Sequence, residues 1–408
     1  MVQDSEARLR PSWFLLGPAF VAAIAYVDPG NVAANVSAGA QYGFLLVWVI
    51  IVGNTMAGLV QFLSAKLGLV TGRSLPEAVA DRTRARTRVA FWLQAELVAM
   101  ATDRAEVVGG AIALHLLFDL PLLVGGVITG AVSLVLLAIQ NRRGQRVFER
   151  VISGLLLIIA IGFLTSLFVE PPPVGEVAAG LVPRFDGAES VLLATAMLGA
   201  TVMPHAVYLH SGLARDRHGH LEAGRQRRWL LKVTRLDVGL AMLVAGAVNL
   251  AMLLVAATNL QGRDNTDSIE GAHAAVRDTL GPTVALLFAI GLLASGLAST
   301  SVGVYAGAMI MQGLLRRSYP LLLRRLVSLI PALAILAIGV DPSRALVLSQ
   351  VVLSFGVPFA LIPLVRLTSD RSLMGEDTNH RITTALGWTV ATLISLLNVV
   401  LIYLTVAG

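Results

Sequence analysis

The sequence predicts an all-α membrane protein of eleven transmembrane helices. They are arranged as two inverted five-helix repeats plus one further helix, with helices one and six broken near their middles. Three observations predict this. The 408-residue chain is 56% hydrophobic and only 14% charged, with mean hydropathy +0.77, too apolar for a soluble domain of that length. Eleven stretches are each long enough for a hydrocarbon core of about 30 Å. Two of those stretches are interrupted by polar residues around a proline.

The eleven stretches lie near 12–39, 44–70, 90–118, 121–140, 147–169, 188–214, 231–258, 279–314, 322–340, 345–368 and 383–406. The first reads as a span and not a signal peptide, because its apolar run is long and no small-residue cleavage site follows it. When loops are assigned alternately, 25 of the 31 Lys and Arg fall on the side of the N-terminus and four on the other, while Lys66 and Arg104 lie within spans. That bias orients a membrane protein with its basic loops in the cytoplasm. It predicts a bacterial cytoplasmic membrane location, the N-terminus inside and Gly408 outside. The arginine clusters at 82–88, 142–146 and 215–235 are then topological anchors, so the pI near 10.1 does not imply a nucleic-acid partner. The absence of cysteine excludes disulfides, zinc–thiolate sites and iron–sulfur clusters.

No linker divides the chain, so residues 1–408 read as one membrane domain. Spans one to five (12–169) and six to ten (188–368) each open with a small-residue-rich helix broken by proline. Five is odd, so the second half enters from the opposite side and the repeat is inverted, with both breaks at the midplane. The last span (383–406) lies outside the repeat. Glu170-Pro171-Pro172-Pro173 reads as a stiff extended turn, and Asp264, Asp267, Glu270 and Asp278 make a mildly acidic outer loop.

The breaks carry the chemistry. Asp28-Pro29-Gly30-Asn31 interrupts the first span and Met203-Pro204-His205 the sixth. An acid at the centre of a span costs about 2.5–3.5 kcal/mol on insertion scales, and an interior proline costs about 3 kcal/mol in a helix. Residues kept at such cost are expected to hold something. Asp28 supplies a carboxylate, Asn31 an amide oxygen and Met203 a thioether. The carbonyls of Ala25 and Ala200 each precede a proline by four residues and lose their helical donor. A set of hard oxygens with one soft sulfur suits a divalent transition metal better than Ca²⁺ or Mg²⁺.

These motifs resemble the two signatures of the Nramp family of divalent metal transporters, which includes bacterial manganese importers. The resemblance covers nearly the whole chain and extends to Gln94-Ala95-Glu96 and Ala101-Thr102-Asp103 in span three. It further takes in Leu209-His210-Ser211 after the second break, and Ser349-Gln350 and Phe355-Gly356-Val357-Pro358 in span ten. It implies a LeuT-like fold, alternating access and metal uptake coupled to proton entry. Asp28, Asn31 and Met203 are then the metal contacts, with Ala25, Ala200 and Gln350 as state-dependent partners. The methionine, absent from related magnesium transporters, favours Mn²⁺ or Fe²⁺ as cargo. The resemblance implies no enzymatic activity or resident cofactor, and no obligate protein partner is evident.

Glu96, Asp103 and Glu106 lie within one sector of about 80° on span three, with Arg324 and Arg325 at the start of span nine available as counter-charge. They suggest a proton route from Asp28 through His205 to Asp103 and Glu106, then past Glu96 to the cytoplasm. His205 could instead bond a carbonyl freed at the break, and the two arginines could be simple anchors. Asn249 either lines the pathway or bonds between helices. Asp237 and Arg235 are expected to pair locally. Arg104 departs from the family pattern. Placed next to Asp103, it could snorkel, pair with an acid elsewhere or hold Asp103 ionised, so an uncoupled metal uniporter is the main alternative. A Na⁺-coupled solute symporter is disfavoured by a carboxylate facing a thioether. An ATP-driven pump is disfavoured because the sequence has no GxxxxGK[ST] loop.

Overall fold

The computed structural model describes residues 17–143, 145–262, 268–317, 320–339 and 341–407, and no strand occurs among them. The expected start of the first span, including Trp13, lies outside the described residues, as do Asp264 and Asp267 of the outer loop. The helices are α1 (Pro18–Ile24), α2 (Pro29–Tyr42), α3 (Val47–Thr71), α4 (Leu75–Asp81), α5 (Ala85–Phe118) and α6 (Leu122–Arg143). There follow α7 (Gln145–Val169), α8 (Val174–Ala179), α9 (Gly187–Thr201), α10 (Pro204–His218), α11 (Arg225–Asn259) and α12 (Ile269–Leu280). The chain closes with α13 (Pro282–Leu315), α14 (Leu321–Ile338), α15 (Pro342–Thr368), α16 (Arg371–Met374) and α17 (Arg381–Ala407).

Both expected breaks are present. A 3₁₀ turn, Ala25–Val27, and extended Asp28 separate α1 from α2, while Val202 and extended Met203 separate α9 from α10. Among the described residues, seven helical segments are long and apolar enough to cross a membrane, or eight if Ala85–Phe118 and Leu122–Ala138, bent by 115°, form one span. The expected eleven is not reached on length and hydropathy alone. The first span is interrupted, leaving Pro18–Val27 short. The helix over Ala85–Phe118 carries Glu96, Asp103, Arg104 and Glu106 in its middle.

The apolar window of Gly187–His218 is 94% buried, against 33% for Arg381–Leu404. The second broken helix therefore runs through the centre and α17 lies at the rim. The most extensive packing joins α5 to α13, where small residues let the backbones approach. A Cβ added at Gly296 would lie 2.9 Å from the backbone nitrogen of Gly110. α12 occupies the loop between α11 and α13, where the sequence suggested no helix. Ser268 caps it, and Ser343 binds both the Ile269 N–H and the Glu270 carboxylate.

Interior prolines in α15 free carbonyls four residues earlier, and neighbouring helices satisfy them. Asn398 of α17 donates to the Ser354 carbonyl (3.0 Å), freed by Pro358. Tyr208 of α10 donates to the Phe359 carbonyl (3.3 Å), freed by Pro363. Such partners are required where no water is available.

Asp237 does not pair with Arg235. Its carboxylate accepts the Gly17 and Ala19 N–H groups (3.1 and 3.0 Å), satisfying the open first turn of α1 from across the bundle. Arg235 lies over the Phe62 ring, 4.8 Å from its centroid.

The α5–α13 approach gives a test of packing. Gly296→Ala should cost about 1–3 kcal/mol through overpacking, read as a lower unfolding temperature in detergent. Gly154→Ala, where an added Cβ meets nothing within 4 Å, should leave that temperature unchanged or slightly raised.

Candidate metal site

Pro29 and Pro204 force the chain out of helix, and each break leaves a side chain at the N-terminus of the helix that follows. Asp28 caps α2. Its Oδ1 accepts the Asn31 backbone N–H (2.8 Å) and the Asn31 Nδ2 (3.0 Å). Met203 stands at the matching position before α10 and is fully buried. The two breaks are joined directly, because Asn31 Nδ2 also donates to the Ala200 carbonyl (3.1 Å). That carbonyl precedes Pro204 by four residues, as expected from the sequence.

Gln350 of α15 completes the cluster. Its Nε2 lies 3.4 Å from Asp28 Oδ2 and 3.2 Å from Ser349 Oγ. This approach requires the glycine at position 30, where any Cβ would collide with the Gln350 amide. Asp28, Asn31, Ala200 and Gln350 are thus one hydrogen-bonded group, fully buried. Ala25 sits in the adjacent 3₁₀ turn, four residues before Pro29. The amide oxygens Asn31 Oδ1 and Gln350 Oε1 are buried and have no hydrogen-bond partner among the described residues. Two such acceptors beside a carboxylate and a thioether fit a cation, and an unpartnered buried acceptor otherwise costs about 1–3 kcal/mol. No cluster of three or more His, Cys, Asp or Glu occurs among the described residues. A site here is accordingly carried by amides, carbonyls and sulfur around one acid.

Two further carbonyls at the first break are satisfied by neighbouring helices. Asn249 of α11 donates to the Tyr26 carbonyl (2.7 Å) and accepts from Asn35 (3.0 Å), so it bonds between helices. Ser295 of α13 donates to the Val27 carbonyl (2.5 Å). Tyr26, Gln61 and His210 form a buried chain not evident in the sequence. Gln61 Nε2 bonds the Tyr26 hydroxyl, and Gln61 Oε1 lies 2.7 Å from His210 Nδ1. The available signal was a glutamine in the middle of the second apolar span.

Two of the three acids of α5 pair with the arginines of α14, Asp103 in the buried interior and Glu96 at a partly exposed position. Arg324 pairs with Glu96 at 2.7 Å. Arg325, fully buried, pairs with Asp103 and donates to Ser133 Oγ (2.7 Å), while Thr300 donates to Asp103 (3.0 Å). The two arginines are therefore counter-charges and not simple anchors. Glu106 is buried against α13 at Gly303, where a Cβ would sit 2.9 Å from its Oε2. His205 is buried with neither ring nitrogen bonded among the described residues, so it does not satisfy a freed carbonyl. Arg104 is not paired with Asp103. Its Nε donates to the Met100 carbonyl one turn back (3.2 Å), placing the guanidinium in a side cleft lined by Ala101, Ile335 and Ser349.

The buried Arg325–Asp103 pair makes a stability prediction. Arg325→Met should cost about 3–5 kcal/mol by leaving the carboxylate uncompensated. The double variant Arg325→Met/Asp103→Asn should recover part of that loss in thermal unfolding.

Comparison with known proteins bears on the whole chain. Residues 19–404 match the family model described as natural resistance-associated macrophage protein-like (Nramp). The divalent metal cation transporter MntH of Mycobacterium tuberculosis is 70% identical over 408 residues, covering 100% of this chain and 95% of the relative. The manganese transporter of Eremococcus coleocola superposes with TM-score 0.85 at 30% identity, over 98% of this chain and 88% of that one. Mhp1, a nucleobase-cation-symport-1 family transporter, has TM-score 0.60 at 18% identity over 95% and 90% of the two chains. That likeness bears on the fold alone, which is LeuT-like.

Proposed function

Because this chain belongs to the Nramp family, and is a divalent metal transporter and not an enzyme, we propose that it imports Mn²⁺, and Fe²⁺ with it, by proton-coupled alternating access across the bacterial cytoplasmic membrane. The observation that carries the metal reading is the bridge made by Asn31. Its Nδ2 lies 3.0 Å from Asp28 Oδ1 and 3.1 Å from the Ala200 carbonyl. A divalent cation would take over both oxygens from this amide. Rotation of Asn31 would then turn its unpartnered oxygen towards the ion, and the same rotation at Gln350 would add a second amide oxygen. Asp28 neutralises part of the charge. The Met203 sulfur adds a soft ligand that disfavours Ca²⁺ and Mg²⁺. The Ala25 carbonyl is the remaining donor, used in the states that bring α1 closer.

The way the broken helices are held supports the alternating-access reading. Tyr26 before the first break and His210 after the second are tied through Gln61 of α3. This tie draws α1 and α10 together on the side where the basic loops gather. By the positive-inside bias that side is the cytoplasm, so release of metal inward requires the tie to part.

For the proton, Asp28 and His205 at the breaks and then Glu106, Asp103 and Glu96, in that order along α5 towards the basic face, supply the groups, with Arg325 and Arg324 balancing the last two acids. The uniporter alternative rested on Arg104 holding Asp103 ionised. Arg104 turns away to its own helix, but Arg325 takes the place beside Asp103, so the uniporter reading passes to Arg325 and is decided by the acidification test below.

Purified protein in liposomes, with Mn²⁺ uptake and internal pH recorded together under an imposed potential, tests this reading. Uptake should bring acidification. Asp28→Ala should lose at least tenfold in uptake, and Met203→Ala should let Ca²⁺ compete more strongly. Uptake without acidification would leave an uncoupled carrier, and wild-type uptake by Asp28→Ala would remove the site.

A further inference from the structure

A crevice of about 760 Å³ lies between the start of α5, the last turns of α15 and the first turns of α17. It is remote in sequence from both breaks and opens on the face where the basic loops gather. Its walls are largely apolar, with Phe91, Phe359, Ile362 and Trp388 among them. Phe91 and Phe359 meet edge to face at 6.4 Å, yet Phe359 remains 48% and Trp388 39% exposed. On the turns of α17 before Trp388, Ile382 and Leu386 are 75% and 51% exposed, as expected of a surface turned to acyl chains.

Two arginines stand at the rim, and their charges are handled differently. Arg82 pairs with Asp370. The hydrogen bond from Arg82, with those from Ser372, holds the Asp370 carboxyl down at about 2, so this pair cancels at neutral pH. Arg366, in the last turn of α15, is exposed and has no acid within ion-pair distance among the described residues. The rim therefore presents one net positive charge above an aromatic, apolar slot.

That combination selects a ligand class. A free phosphate would meet Arg366 but leave the apolar walls open, and a neutral lipid would cover the walls but leave the guanidinium unpaired. The planar guanidinium fork of arginine can bond two oxygens of a phosphate at once. Tryptophan favours the headgroup level of a bilayer, and basic pockets between membrane helices suit anionic headgroups. We propose that this crevice is a binding site for an anionic glycerophospholipid, its phosphate on Arg366 and its acyl chains against Phe359 and Trp388. Bound there, the lipid joins α17 to the end of α15 that holds Pro358 and Pro363, on the helix that also carries Gln350.

The test uses the whole protein, purified in detergent and stripped of lipid, with unfolding temperature followed as phosphatidylglycerol, phosphatidylcholine of the same chains, or inorganic phosphate is added. Phosphatidylglycerol should raise it by several degrees, phosphatidylcholine by much less, and inorganic phosphate not at all. Arg366→Gln should raise the half-maximal phosphatidylglycerol concentration about tenfold, the loss of one charge-assisted contact. Arg371→Gln, an exposed cation outside the crevice, should leave it unchanged. Trp388→Ala should weaken the response to both lipids. Equal shifts with the two lipids, no shift with either, or equal effects of Arg366→Gln and Arg371→Gln would overturn the proposal. The readout is lipid binding, so it stands or falls separately from metal uptake.

Discussion

A helix interrupted inside a membrane must find other partners for the backbone groups it exposes, because no water is there to take them. Much of this structure answers that requirement. The Ala200 carbonyl is met by Asn31, Tyr26 by Asn249, Val27 by Ser295, Ser354 by Asn398 and Phe359 by Tyr208. Each bond joins two helices distant in sequence, so the bonds that make the breaks tolerable also fix their positions. The candidate metal site is the place where two such breaks face each other, and Asn31, which satisfies the Ala200 carbonyl there, is one of its candidate ligands.

Beside the site, polar groups are concentrated on the α5–α13–α14 interface. Glycines on α13 make room for it: a Cβ at Gly303 would meet Glu106, and one at Gly307 would meet the Arg324 guanidinium. Buried ion pairs seldom add net stability over apolar packing. Arg325–Asp103 and Arg324–Glu96 therefore join α5 to α14 without being a large source of net stability. Glu106 has no arginine of its own within ion-pair distance among the described residues, which sets it apart from the other two acids.

The breaks were legible because proline, glycine and a charged residue in an apolar run contradict the helix around them, and no tertiary information is needed to see it. The pairing of span-three acids with Arg324 and Arg325 was partly legible, since buried charges need opposite charges and few were available. Cross-bundle partners were not. Asp237 next to Arg235 suggests a local pair, yet the open first turn of α1 is a stronger claimant once the bundle folds. Gln61 and Asn249 look alike in sequence, as single amides in apolar spans. Their roles depend on which neighbour presents a free hydroxyl, imidazole or carbonyl. For Arg104 the sequence left three roles open, and the fold turns its guanidinium back to the Met100 carbonyl of its own helix, since neighbours on a helix point about 100° apart.

The claim at the centre of this account is that one cation binds between the two breaks, on Asp28 and Met203 together. Crystals of the protein soaked with Mn²⁺, measured for anomalous scattering at the manganese edge, test it most directly. The account predicts a single strong peak within bonding distance of an Asp28 carboxylate oxygen and the Met203 sulfur, with the Asn31 amide turned to present its oxygen. A peak elsewhere, or one coordinated by Asp28 while Met203 remains packed away from the ion, would contradict it.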